Sequence, residues 1–170
     1  MKIVSGFERR SAPMETDSHY EDTFKSFMTE KGIDAEHLTF SQSTHSVAEA
    51  AEAAGVTARD FVKNICMVDG IGRLIVGIVK GEDRVSTSRV AKVLNTEGVR
   101  TATPEEILEM TGYPCGGTPS FGYSATFLVD QKVFEMEYVY TGGGSERSLV
   151  KIRPSEIVKG NRAEVVRIRK

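Results

Sequence analysis

The chain has only two cysteines among its 170 residues, Cys66 and Cys115, and no CxxC pair, so neither a disulfide framework nor a thiolate metal cage is expected. Its three histidines, His19, His37 and His45, are scattered without the spacing of zinc ligands, and no metal site is expected from them. No apolar run approaches the roughly 20 residues needed to cross a bilayer, and no charged-then-apolar leader opens the sequence. The Gly-Lys-Ser/Thr signature of a phosphate loop is missing too. These gaps lead us to expect a soluble, cytoplasmic protein with no cofactor, no metal and no membrane partner.

What remains is a chain that is 39% hydrophobic, long enough for one proper core and too short for two comfortable ones. A formal net charge of −2 conceals an asymmetry, because eight of the 22 basic residues fall between Arg147 and Lys170, where only two of the 24 acidic ones stand. Clustered cations at one end suit contact with nucleic-acid phosphates; a solvated, basic strand face is the plainer reading.

Residues 1–16 show no clean period and contain Pro13, which predicts an irregular arm ahead of a single domain over 17–170. Tyr20, Phe24, Phe27 and Met28 then mark one face of a helix that Gly32 can end. A strand is expected at Leu38–Ser41. Ser46 and Glu49 form a capping box before an alanine-rich helix closed by Gly55, and Thr57 can cap a short turn. Two apolar strands, Lys63–Val68 and Leu74–Val79, are joined over Asp69–Arg73 by a hairpin-length connection. A helix around Val90–Leu94 is expected to end near Gly98, and Thr103-Pro-Glu-Glu106 is a second capping box with proline at the first helical position. Ala125–Val129 and Val133–Tyr140 read as a further strand pair, followed by a strand at Leu149–Ile152, a helical turn at Pro154–Val158 and a last strand at Glu164–Ile168. The expected class is α+β: one mostly antiparallel mixed sheet, partly barrel-like, covered by helices.

Two features carry possible chemistry. Lys63 stands where a turn meets an apolar strand, either as a snorkelling strand-end lysine or as a desolvated cation able to hold a carbonyl, phosphate or carboxylate oxygen. The stretch TGYPCGGTPSFGY, residues 111–123, can be a structural turn, a cradle of backbone amides for an anion, or the mount of a Cys115 nucleophile. A second glycine cluster follows at Gly142–Ser145.

Taken in order, THSVAEAAEAAGV (44–56), FVKNICMVDG (61–70), LIVGIVKGEDRVSTSRVAKVL (74–94), TATPEEILEMTGYPCGGTPSFG (101–122) and YTGGGSERSLVKIRPSEIVK (140–159) resemble the YbaK/ProX-type aminoacyl-tRNA deacylases, whose fold is also inserted in bacterial prolyl-tRNA synthetases. The resemblance implies hydrolysis of the ester that joins a wrong amino acid to a transfer RNA, chiefly proline tRNA carrying alanine or cysteine. It implies the aminoacyl-tRNA acceptor end as partner, with a synthetase as a second one. Lys63 matches the family's functional lysine. Gly116, Gly117, Thr118, Pro119, Ser120, Phe121 and Gly122 match its substrate-cradling loop, Gly143, Gly144 and Ser145 its second pocket loop, and His45 joins the substrate-binding set. Several members have proline where Ser120 stands, whereas Pro119 here comes one position earlier. On charge alone, Lys159, Arg162, Arg167, Arg169 and Lys170 are candidate tRNA contacts. A non-catalytic tRNA- or synthetase-binding module and a Cys115 hydrolase are the alternatives.

Overall fold

The computed structural model describes residues 2–170, with side chains from Asp17 onward. The arm expected over residues 1–16 thus falls outside the residues described with their side chains; from Lys2 its backbone continues the helix α1 (Lys2–Lys31). The expected apolar face of that helix is buried: Phe24 is fully enclosed, its ring centroid 5.1 Å from Phe121 and 6.1 Å from Tyr113.

Among the described residues eight strands follow: β1 (Ala35–Thr39), β2 (Val62–Val68), β3 (Leu74–Lys80), β4 (Arg100–Thr101), β5 (Thr126–Val129), β6 (Val139–Gly142), β7 (Ser148–Ile152) and β8 (Glu164–Val165). Four shorter helices intervene: α2 (Val47–Ala54), α3 (Thr87–Leu94), α4 (Pro104–Thr111) and α5 (Pro154–Asn161). The class is α+β as expected, but the strands form two sheets rather than one. The first is antiparallel with order β1-β7-β6, and the second is mixed with order β4-β2-β3-β5-β8. Their backbones meet in an isolated bridge between Phe61 and Tyr140 rather than in a continuous ladder, so the barrel suggested by the pattern does not close.

The hairpin is the best-specified element. β2 and β3 pair antiparallel from Val62 opposite Lys80 to Val68 opposite Leu74, and every residue of β3 is buried. Asp69 organises the turn, accepting hydrogen bonds from the Ile71 and Arg73 amides (3.1 and 2.9 Å), Arg73 Nε (2.7 Å) and Thr96 Oγ1 (3.0 Å). Burial pushes its carboxyl up, yet these donors outweigh burial and hold it at about 2.

Three expectations are corrected. Val133–Tyr140 is not one strand, because Asp130 accepts the Lys132 amide at 3.0 Å and caps a 3-10 turn over Gln131–Glu135, leaving only β6 extended. β5 does not pair with that segment. It lies parallel to β3, since the long return through α3 and α4 brings the chain back at the same end of the sheet. α3 stops at Leu94, where Asn95 adopts the left-handed conformation (φ 51°), before Gly98 is reached. The Ser46 box is half formed: its side chain accepts the Glu49 amide, whereas the Glu49 carboxylate takes Ser43 Oγ at 2.9 Å instead of reaching back. At α4 the Thr103–Glu106 box is complete and Gly112 closes the helix at φ 81°.

Candidate active site

Where the start of β2 meets the N-terminus of α2, the glycine loop and the end of β6, a cavity of about 290 Å³ opens. Its wall is apolar on the side of Val47, Ala50, Phe61, Ile107 and Leu149, and polar where Thr44, His45, Lys63, Asn64, Thr118 and Thr141 converge. No carboxylate lines it among the described residues.

Lys63 is therefore the cation of the cavity. It sits opposite Val79 on fully buried β3, and half-burial lowers its ammonium pKa from the usual 10.5; Arg84 pushes the same way and Asp83 opposes. Among the described residues it has no carboxylate within ion-pair distance. An amine so placed keeps its charge available for an oxygen of a ligand.

The two glycine loops are interlocked behind it. The Gly144 amide donates to the Gly117 carbonyl at 2.8 Å, and a Cβ on Gly117 would come 2.5 Å from the Ser145 carbonyl carbon. A Cβ on Gly142 would strike the Thr118 carbonyl, and one on Gly116 (φ 90°) would strike the His45 ring. The loops need glycine here because two backbones and a ring occupy the space a side chain would take. A buried polar network joins them to β2. Asn64 Nδ2 donates to the Thr118 carbonyl and to Thr141 Oγ1, both at 2.9 Å; Ser120 Oγ donates to Asn64 Oδ1 at 2.7 Å and lies 2.7 Å from Thr141 Oγ1.

Of the residues singled out from the sequence, Lys63, His45, Gly116 and Thr118 line the cavity. The others stand behind it. Gly117, Pro119, Ser120, Gly143, Gly144 and Ser145 are buried supports, Phe121 is core packed on α1 and Gly160, and Gly122 turns beside Phe24 and Phe27. The second cluster reaches the wall through Gly142 and Thr141 instead. Sequence reading missed Asn64, whose neighbour drew the attention, and Thr44 and Thr141, which carried no signal.

His45 Nδ1 meets Glu146 Oε1 at 3.0 Å on the exposed rim. Cys115 also lines the wall, but burial and then the nearby Glu146 charge raise its thiol pKa, so a thiolate is disfavoured. Cys66 is buried and pushed up to about 12. The basic end is not one free patch either: Lys159 Nζ donates to the Gly32 carbonyl at 2.7 Å, Arg169 pairs with buried Asp130 at 2.6 Å, and none of Lys159, Arg162, Arg167, Arg169 or Lys170 lines the cavity.

This geometry coincides with a family match: the model of the aminoacyl-tRNA editing domain fits residues 41–159, which includes every residue lining the cavity. The chain belongs to the aminoacyl-tRNA editing domain family. Among its relatives, the uncharacterised protein YwhH of Bacillus subtilis is 24% identical over 69% of this chain and 76% of its own. The proline--tRNA ligase of Acidithiobacillus ferrooxidans is 28% identical over 59% of this chain, which spans only 18% of that enzyme. A solved structure provisionally described as a trans-editing enzyme for prolyl tRNA synthetase superposes with a TM-score of 0.81 at 25% identity, covering 89% of this chain and 97% of the other. Within this editing-domain family, the described residues contain no helix long and apolar enough to cross a membrane.

Proposed function

We propose that the protein hydrolyses mischarged aminoacyl-tRNA in trans, with proline tRNA carrying alanine or cysteine as substrate. The observation that carries this reading is the half-buried Lys63 cation in a small cavity without carboxylates, walled by an interlocked glycine loop. An aminoacyl ester is already activated, so the protein needs chiefly to place it and to stabilise the charge that develops on its carbonyl oxygen.

In the step, water adds to the ester carbonyl carbon and the carbonyl oxygen takes up negative charge. The bond to the ribose oxygen then breaks, and that oxygen leaves as a hydroxyl with the proton the water gave up. The neighbouring ribose hydroxyl or the amino group of the substrate relays the proton. Lys63 faces the developing oxyanion. The amides of Gly116 and Thr118 support that role, since neither donates to a protein acceptor among the described residues.

The cavity volume of about 290 Å³ lies at the small end of ligand pockets and favours a small side chain. Rejecting proline is then a steric matter, worth about 1–3 kcal/mol per small apolar difference. The test is incubation with proline tRNA charged with alanine, cysteine, serine or proline. Wild type should release the small amino acids, Lys63→Ala should lose roughly 100-fold in kcat/KM, and Cys115→Ala should match wild type. Tight binding without ester loss would instead identify a binding module, and full activity in Lys63→Ala would remove the lysine from the site.

A further inference from the structure

On the reading that the cavity takes the aminoacylated end of a tRNA, we propose that the 3′ strand leaves the cavity across Arg84 and runs on to Arg167 and Lys170, which bind its phosphates. The backbone brings these residues together from distant parts of the chain. β3 pairs with β2 along the Lys63 strand and ends at Lys80, and the Gly81 amide then donates to the carbonyl of Phe61, a wall residue, at 2.7 Å. Three residues on, the Arg84 carbonyl accepts the Lys170 amide at 2.9 Å, and Val85 bridges antiparallel to Arg169. The C-terminal segment is thus stitched to the turn that departs from the cavity rim.

Charge on this face is unbalanced in a particular way. The carboxylates next to Arg84 and Arg169 are engaged, Glu82 with Lys80 (3.3 Å), Lys132 (3.7 Å) and Arg59 (3.9 Å), Asp83 through Oδ1 with Lys132 (3.2 Å), and Asp130 with Arg169 (2.6 Å), whereas Glu164 of the last segment is exposed and unpaired among the described residues. Arg84, Arg167 and Lys170 are exposed, and among the described residues none has a carboxylate within 4.0 Å. Arg84 is near enough to Lys63 for its charge to bear on that amine, with Asp83 acting in the opposite sense. A row of uncompensated cations that begins at a cavity for a nucleotide ester fits a polynucleotide, whose next phosphates must lie just outside the cavity mouth. Lys159 and Arg162, at the end of α5, are not part of this row.

The test measures binding of uncharged tRNA over a salt series, which is independent of ester hydrolysis. Arg84→Gln and Lys170→Gln should each lower the slope of log K against log salt by about 1. The bridge between these segments uses the Arg84 backbone carbonyl, so the substitution leaves it intact. In parallel, ester loss from aminoacyl-adenosine, which has no phosphate, should proceed at the wild-type rate in Lys170→Gln. Slopes equal to wild type, or a slope lost with Lys159→Gln instead, would overturn the path. So would displacement of tRNA by poly-glutamate as effective as by RNA, which would assign the row to an acidic protein. Normal tRNA slopes with no hydrolysis of any ester would leave the path standing and remove the deacylase reading, whereas hydrolysis of aminoacyl-adenosine with no tRNA binding would do the reverse.

Discussion

At the scale of single residues, Lys63 is held in a state that costs stability and that the proposed reaction uses. Its folded pKa is lowered, so on raising the pH the folded protein releases this proton before the unfolded chain does. In that window below 10.5 the unfolded state binds more protons, and folding stability rises with pH. Deacylation should move the other way, with the lysine-dependent rate falling as pH climbs through the folded pKa, because the ammonium is the form that faces the oxyanion. Lys63→Met should therefore lower the rate roughly 100-fold, as Lys63→Ala should, while leaving the melting temperature equal to or above wild type; a clear drop in Tm would mean that the amine has a structural partner. Asn64 behaves oppositely. Asn64→Ala strands the Thr118 carbonyl and leaves the Ser120 and Thr141 hydroxyls only each other, so we expect about 2 kcal/mol of destabilisation in denaturant titration.

At the scale of elements, caps and turns decide where each segment stops. The complete Thr103–Glu106 box starts α4, which delivers the chain into the glycine loop. Thr103→Ala should cost about 1 kcal/mol and lower Tm by about 3 °C in a chain of this size; a larger loss would show that the loop itself had moved. The β2–β3 turn should respond to acid. The Asp69 carboxyl is held at about 2 against an ordinary 3.8, so its contribution is present above 3.8 and fades as pH falls toward 2. Asp69→Asn should flatten the acid limb of the stability curve over that range, as read by circular dichroism at stepped pH. These elements were legible because their determinants are local: the Ser46 and Thr103 caps, the Asp69 turn and the apolar runs of β2 and β3 all act within a few residues. Val133–Tyr140 was misread for a local reason as well, the Asp130 side chain capping a turn inside an apolar stretch.

At the scale of the whole molecule, Asp130 ties the last segment to the mixed sheet. Fully buried, it accepts the Ile168 and Arg169 amides (2.9 and 3.0 Å) and the Arg169 guanidinium (2.6 Å), which together outweigh burial and hold its carboxyl below the ordinary range. Asp130→Asn should speed hydrogen exchange of the amides over 164–170 while leaving β2 and β3 protected; unchanged exchange at the C-terminal end would show that β8 holds by itself.

The sequence alone determined the class of fold, the starts of α2 and α4, and the hairpin, and it singled out Lys63, because caps, periodicity and a lysine at the edge of an apolar strand are written within short windows. Only the tertiary structure decided that there are two sheets, that β5 runs parallel to β3, and that Thr118, Asn64 and Thr141 share one network. It also decided that Phe121 and Ser145 stand behind the cavity rather than line it, and that the cation whose charge bears on Lys63 is Arg84, while Lys159 bonds the Gly32 carbonyl. The physical reason is the same throughout: contacts between residues some 50 to 100 positions apart depend on how the sheets pack, and no local pattern encodes that distance.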